Sequence, residues 1–334
     1  MDIARFWTAW TSPEEFRCVH PGHRAELSES DIAQDFAVLS TIPRCLRLKY
    51  RVTARNSIIE RLLESVSRDT EERALRLIAC RPFVRPDDLF ESQLASGAWS
   101  SSSVAQPGNC FHTALALMAL KANPHDHRTD PAAVRAFAWL ESMHGVESHW
   151  LWKWKFRYFD RQVRFDPTKS GWPWVEGTVS WVAPTSMAIL AYGAWGRSSP
   201  RLAEAAAMLV DRACPKGGWN AGNSEVFGVP LEPHPDFTAM ALLGLHRFRQ
   251  RDEPIVKTSL DYLHDRLVTS ESTYSLAWAA LAMNAWNHEQ AGAIARRLED
   301  RVIARGPDRL SMRTLALAAL ALETPPFAFF GVRP

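Results

Sequence analysis

The chain has 334 residues, 46% hydrophobic and 23% charged, with 39 basic against 37 acidic side chains. That length buries a sizeable core in one large domain or two small ones, and the apolar and aromatic content excludes disorder as the main state. A formal charge of +2 gives no basic field to hold nucleic acid, and none to hold an anionic membrane.

The N-terminus, MDIARFWTAWTSPEEF, lacks a basic patch followed by an apolar run, so no signal peptide is expected. No later window approaches the roughly 18 uninterrupted apolar residues of a bilayer span. The stretch 57–80, rich in Arg and Glu, reads as one or two amphipathic helices, and RPFVRPDDLF at 81–90 marks a joint. Residues 1–85 are therefore assigned to an N-terminal helical extension, and 86–334 to the main domain. Five widely spaced cysteines (Cys18, Cys45, Cys80, Cys110, Cys214) form no CxxC pair. Reduced thiols and a cytoplasmic protein follow as the expectation.

From residue 86 onward almost every patterned segment is helical. One helix type recurs: Thr113 opens TALALMAL, Thr185 TSMAILAY, Thr238 TAMALLGL, Ser275 SLAWAALAM and Thr314 TLALAALAL. Each starts at a residue able to cap or lie in the first turn. Each then runs apolar on nearly all sides, as a helix buried all round does. Between them lie amphipathic helices at 132–143, 200–213, 254–267 and 289–304, with Arg, Glu and Asp on one face. Alternation of fully apolar inner helices with amphipathic outer ones predicts an all-α fold, an α/α toroid. Helix pairs of this kind bury their faces only by stacking on neighbours.

Fourteen tryptophans are the compositional outlier, and several sit beside Gly or Pro in the loops. Gln93-Leu-Ala-Ser-Gly97-Ala-Trp99 has the spacing Q-x-x-x-G-x-W, and Lys216-Gly217-Gly218-Trp219 repeats it with Ala213 at the Gln position. A third loop reads Gly171-Trp172-Pro173-Trp174-Val-Glu176-Gly177-Thr178-Val-Ser180-Trp181. In such a loop Gly permits the tight turn, Trp lays an apolar plate over a helix end, and Gln hydrogen-bonds exposed backbone groups. Trp99, Trp172 and Trp219 are accordingly read as structural plugs.

These loops, each followed by a Thr-opened apolar helix, resemble the Q-W repeat of the triterpene cyclases and the wider prenyltransferase/squalene-oxidase repeat family. The resemblance covers about 86–334 and implies the α/α toroid, with an isoprenoid or other apolar lipid as ligand. Class II cyclases of the family carry Asp-x-Asp-Asp at the start of an inner helix, and the middle Asp protonates an alkene or epoxide. Aligned on the Thr-Ala that opens the helix, this sequence reads His234-Pro235-Asp236-Phe237-Thr238-Ala239. Asp236 takes the proton-donating position. His234 replaces the first Asp and Phe237 the third, so the groups that orient the acid are missing, although an apolar wall favours the neutral carboxyl. The bland alternative makes Asp236 an N-terminal cap before Thr238.

The protein prenyltransferase branch of the family binds zinc through Asp, a Cys two residues on and a distant His. No Asp-x-Cys occurs here. Cys110 and His112, with His234 and Asp236, are ligand types zinc accepts, yet their spacing is not diagnostic, and neither metal nor cofactor is expected. The cluster 149–159, HWLWKWKFRYF, reads as a flap over the toroid's rim, a cation-stabilising wall, or a contact peripheral to a lipid surface.

The functional expectation is a terpene cyclase-like protein that binds an isoprenoid in the toroid, with proton-initiated cyclisation as its full form. Asp236 is then the candidate general acid with His234 beside it. Trp152, Trp174, Trp181, Phe237, His112 and Glu176 are the candidate substrate contacts. A single toroid is short for hopene-type cyclisation, which in the family uses two toroid-type domains. The alternative is a non-catalytic toroid that binds a lipid or a partner protein, and different chemistry on the same fold is a third.

Overall fold

The computed structural model describes residues 44–81, 83–102, 106–124, 126–159, 165–269 and 272–323. Residues 1–43 of the expected extension, including Cys18 and the N-terminus, lie outside the described residues. By packing, the chain divides into 1–48 and 49–334, and the second unit holds the helical ring.

The α-helices, in chain order, are α1 (Arg44–Glu64), α2 (Thr70–Ala79), α3 (Asp87–Glu91), α4 (Cys110–Lys121), α5 (Thr129–Ser142), α6 (Trp150–Tyr158) and α7 (Val182–Ala194). They continue as α8 (Arg201–Asp211), α9 (Pro235–Leu245), α10 (Pro254–Thr269), α11 (Thr273–Ala285), α12 (Ala291–Arg305) and α13 (Met312–Ala321). The one sheet among the described residues is a hairpin of β1 (Glu225–Val226) and β2 (Val229–Pro230) in the α8–α9 loop. Its two-residue turn, Phe227-Gly228, has positive φ at both positions (52° and 77°), the geometry that suits a tight hairpin.

Six helices close a ring in the order α2, α4, α7, α9, α11, α13, with α13 packed back on α2. Outside it, α5 packs on α4, α8 on α7 and α9, α10 on α9 and α11, and α12 on α11 and α13. The second half of α1 is also an outer element. Its Ile58 and Leu62 join the core, and Arg55 donates to the Ala319 carbonyl of α13 at 3.2 Å. The chain is an all-α, α/α toroid. The apolar inner helices read from the sequence are the ring helices: in TALALMAL and TAMALLGL every residue is buried.

The ring closes through α2, so the boundary expected at residue 85 falls inside the toroid. The sequence of α2, TEERALRLIA, disguises this. Its Ala74, Leu75, Leu77, Ile78 and Ala79 are buried, while Arg76 turns outward to the Leu62 and Leu63 carbonyls of α1 (2.8 and 3.0 Å). A charged residue used this way reads as amphipathic although the helix is enclosed.

The three Gly-Trp loops share one set of bonds. The amides of Trp99, Trp172 and Trp219 donate to the hydroxyls of Thr113, Thr185 and Thr238, each at 2.9 Å. Their indole N–H groups donate to the carbonyls of Leu89, Leu140 and Leu209, at 2.8, 2.8 and 2.6 Å, toward the C-terminal ends of the earlier helices α3, α5 and α8. All three rings are fully buried. Each Trp thus ties the last turn of one helix to the first turn of the next ring helix, and the Thr spends its hydroxyl on this tie rather than on capping. The helix caps are different residues: Asn109 for α4, Ser272 for α11 and Ser311 for α13.

Glycine has a steric reason at Trp minus two. Gly97 and Gly217 have φ of +93° and +92°, and a Cβ there would meet the Arg135 and Thr258 carbonyl oxygens at 2.6 and 2.8 Å. In the third loop Ser170 takes this place and bonds instead to Glu204 of α8 (2.7 Å). Gln93 donates to the Gly97 and Ala132 carbonyls (2.8 and 3.0 Å), the backbone role its spacing predicts. Below Trp172, Arg201 stacks on the indole at 4.2 Å and donates to the Leu140, Met143 and Gly171 carbonyls (2.9, 2.8 and 3.1 Å).

Candidate functional site

A common register builds the ring's mouth. The second residue of each ring helix is Glu71 in α2, Phe111 in α4, Ala183 in α7, Asp236 in α9, Tyr274 in α11 and Arg313 in α13. One turn further down, the equivalent positions are Leu75, Leu115, Met187, Met240, Trp278 and Leu317, all between 0% and 3% exposed. An enclosed void lined by these side chains would show as accessible surface on them, so the floor of the ring is packed. Of the first-turn side chains above it, Phe111 and Ala183 are buried too, and Glu71, Asp236, Tyr274 and Arg313 keep part of their surface accessible.

There the polar side chains meet. Arg313 Nε stands 3.2 Å from Glu71 Oε2, and Arg313 also pairs with Asp69, the residue that caps α2. Ser275 donates to Asp236 Oδ1 at 3.5 Å. Tyr274 lies within electrostatic reach of both carboxyls, and burial first, then Glu71, pushes its phenol up. Glu71 is the perturbed acid of the mouth: burial raises its carboxyl from 4.5 to about 7, against the pull of Arg313. Burial therefore favours its neutral form.

Of the residues expected from the sequence, Asp236 and Phe237 stand in the first turn of α9, both half-buried. Asp236 is not the helix cap. That position belongs to His234, whose side chain makes no capping bond, and no backbone N–H donates to Asp236 among the described residues. His234 is exposed and meets Phe237 edge-on, with centroids 5.9 Å apart.

His112 and Trp174 come together around Phe111. Phe111 is 5.4 Å from the His112 ring and 5.2 Å from Trp174, and the Cys110 amide donates to the Trp174 carbonyl (2.9 Å). Burial lowers the His112 imidazole to about 4, and its Nδ1 is sealed off without a hydrogen-bond partner. The neighbouring Cys110 thiol is pushed up by burial, the opposite of what a thiolate ligand needs. Among the described residues no three His, Cys, Asp or Glu side chains gather as a metal would require.

The remaining expected contacts stand elsewhere. Trp181 is the cap residue of α7, with its ring against Gly222. Glu176 is exposed in its loop. Trp152 lies in α6, 40% exposed, beneath the Lys155 ammonium at 4.6 Å.

Glu71, Tyr274 and Arg313 were not anticipated. A signal for the first was present in Asp69-x-x-Glu72, a capping-box pattern: Asp69 accepts from the Glu72 amide (2.9 Å), and Glu72 from the Arg68 amide (2.7 Å). A separate groove of about 520 Å³ lies between Phe165, Asp166, Asp211, Pro215 and Glu225. Its acidic lining does not suit a hydrocarbon.

No family model matches the sequence, and no curated protein matches it. Among solved structures the chain is similar to the apo type II terpene cyclase MstE from Scytonema, at 15% identity and a TM-score of 0.54, covering 82% of this chain and 98% of that one. The likeness spans nearly the whole of that enzyme and establishes a terpene cyclase-like fold.

Proposed function

We propose that the ring binds an isoprenoid or similar apolar lipid at its mouth, with Asp236 and Glu71 as the polar groups of the site. The observation that carries this reading is the register of the first turns. It sets two carboxyls, with Tyr274 in reach of both, in the first turns of ring helices, with Phe237 next to Asp236 and the Phe111–Trp174 pair formed by α4 and the loop before α7. Aromatic faces stabilise developing cations, and a carboxyl kept neutral is the form that can donate a proton. In the full form of the reaction Asp236 or Glu71 gives its proton to an alkene carbon, a new C–H bond forms, and the cation closes a ring before losing a proton to a base. The type II terpene cyclase fold supports the same class.

A binding-only role has its own support. The floor of the ring is packed, and neither His234 nor Phe237 can orient Asp236 as a carboxyl would. The substitution Asp236→Asn separates the two when stability and turnover of a polyprenyl substrate are measured together. The catalytic form predicts lost turnover at unchanged or higher stability. A bound lipid recovered unaltered from both proteins contradicts catalysis and keeps binding. Ligand binding and turnover both unchanged in the variant contradict any role for Asp236 in the site.

A further inference from the structure

Six of the twelve large apolar side chains exposed among the described residues lie between 150 and 159. A soluble surface scatters such residues singly, and a cluster of this kind marks an interaction site. At about 100° per residue, Trp150, Leu151, Trp154 and Tyr158 of α6 fall within one arc; they are 69%, 50%, 55% and 57% exposed. Lys155 flanks the arc on one side and Lys153 on the other. The opposite face is the one that packs, through Phe156 on Phe165 at 5.0 Å.

The segment 149–159 contains no Asp or Glu, and no carboxylate pairs with Lys153 or Lys155 among the described residues. Rings with a polar edge, bordered by lysines, match the boundary between lipid headgroups and acyl chains. No helix is long and apolar enough to cross a membrane among the described residues, so this face would lie on a bilayer. The chain's net charge of +2 supplies little long-range attraction, which makes the contact a local one.

The helix is also firmly placed. The Val146 amide donates to the Thr178 carbonyl (3.0 Å), and the buried Glu147 carboxylate accepts from the Ser180 amide (3.0 and 3.2 Å). Ser180 lies just before α7, whose first turn belongs to the ring's mouth. The α6 insertion therefore stands in the connection that leads into the mouth.

We propose that α6 docks the protein on an anionic lipid surface, with the Trp150, Leu151, Trp154 and Tyr158 face in the headgroup–acyl boundary and Lys153 and Lys155 against lipid phosphates and carboxylates. The docking stands on surface observations alone and does not depend on what the mouth binds. Co-sedimentation of the full chain tests it, using vesicles of phosphatidylcholine alone and of phosphatidylcholine with an equal part of phosphatidylserine, without added isoprenoid. The expected result is binding to the mixed vesicles, weakened at least about tenfold in Trp150→Ala/Trp154→Ala. In Lys153→Ala/Lys155→Ala it weakens by roughly thirtyfold and loses the preference for phosphatidylserine. All four side chains are outside the core, so melting temperatures stay unchanged. The proposal is overturned if the unaltered chain stays in the supernatant with both vesicles, or if the Trp variant binds as well as it does. It is equally overturned if the Trp substitutions turn a dimer into a monomer while vesicle binding is absent, since the face then meets a second copy of the chain.

Discussion

Replacing Trp99, Trp172 or Trp219 by Ala lowers folding stability by roughly 3–5 kcal/mol in each case, read as a drop in melting temperature or denaturant midpoint. Each indole is fully buried, so its loss leaves a cavity that the surrounding helices fill only in part. Each also removes one hydrogen bond to a helix-end carbonyl, that of Leu89, Leu140 or Leu209, and with it the tie between two helices. Trp150→Ala is the internal control, because that ring is 69% exposed and its removal should shift stability by no more than about 0.5 kcal/mol. Three silent substitutions at the buried sites would mean that these residues form a surface instead of tying the ring together.

Glu71→Gln stabilises the protein above about pH 7 and loses that advantage in acid. The carboxyl moves from 4.5 to about 7 on folding, so the folded state holds the proton more tightly than the unfolded one. Its contribution is therefore most favourable below the unfolded value and declines as pH rises through the folded one, by about 3 kcal/mol across that window. Gln cannot ionise and escapes the decline. His112 works in the opposite sense. Its imidazole is lowered to about 4, so its contribution is complete above the ordinary value of 6.5 and is lost as pH falls toward 4. Denaturant midpoints collected between about pH 4 and pH 8 should show Glu71→Gln and His112→Gln diverging from the parent at opposite ends. Parallel curves for all three proteins would place neither side chain in a desolvated mouth.

The ring helices were legible because five of them are apolar on every side, a pattern only enclosure explains. The loops were legible through Gly97, Gly217 and their tryptophans, where backbone geometry admits one residue type. The sixth ring helix was hidden by its own polarity. Glu71 and Glu72 serve the mouth and the cap, and Arg76 reaches carbonyls of α1, so the segment resembles a solvated surface. With α2 assigned to an extension, Glu71 could not be placed in the site. Tyr274 and Arg313 were missed for a narrower reason: each stands one residue before the Ser275 or Thr314 that drew attention to its helix. Asp236 was found two residues before Thr238, by alignment on the Thr-Ala that opens its helix, and it meets Ser275 as its partner, whereas the packing that fills the ring's floor depends on six helices at once and has no linear trace.

The most direct measurement is native mass spectrometry of the full chain after exposure to a lipid extract supplemented with polyprenyl alcohols. One isoprenoid bound per chain is the expected result, with the adduct weakened or lost in Asp236→Arg, which adds a second cation to the mouth beside Arg313. No isoprenoid adduct on the unaltered chain, or one held equally by the Arg variant, would contradict a ligand site at the mouth of the ring.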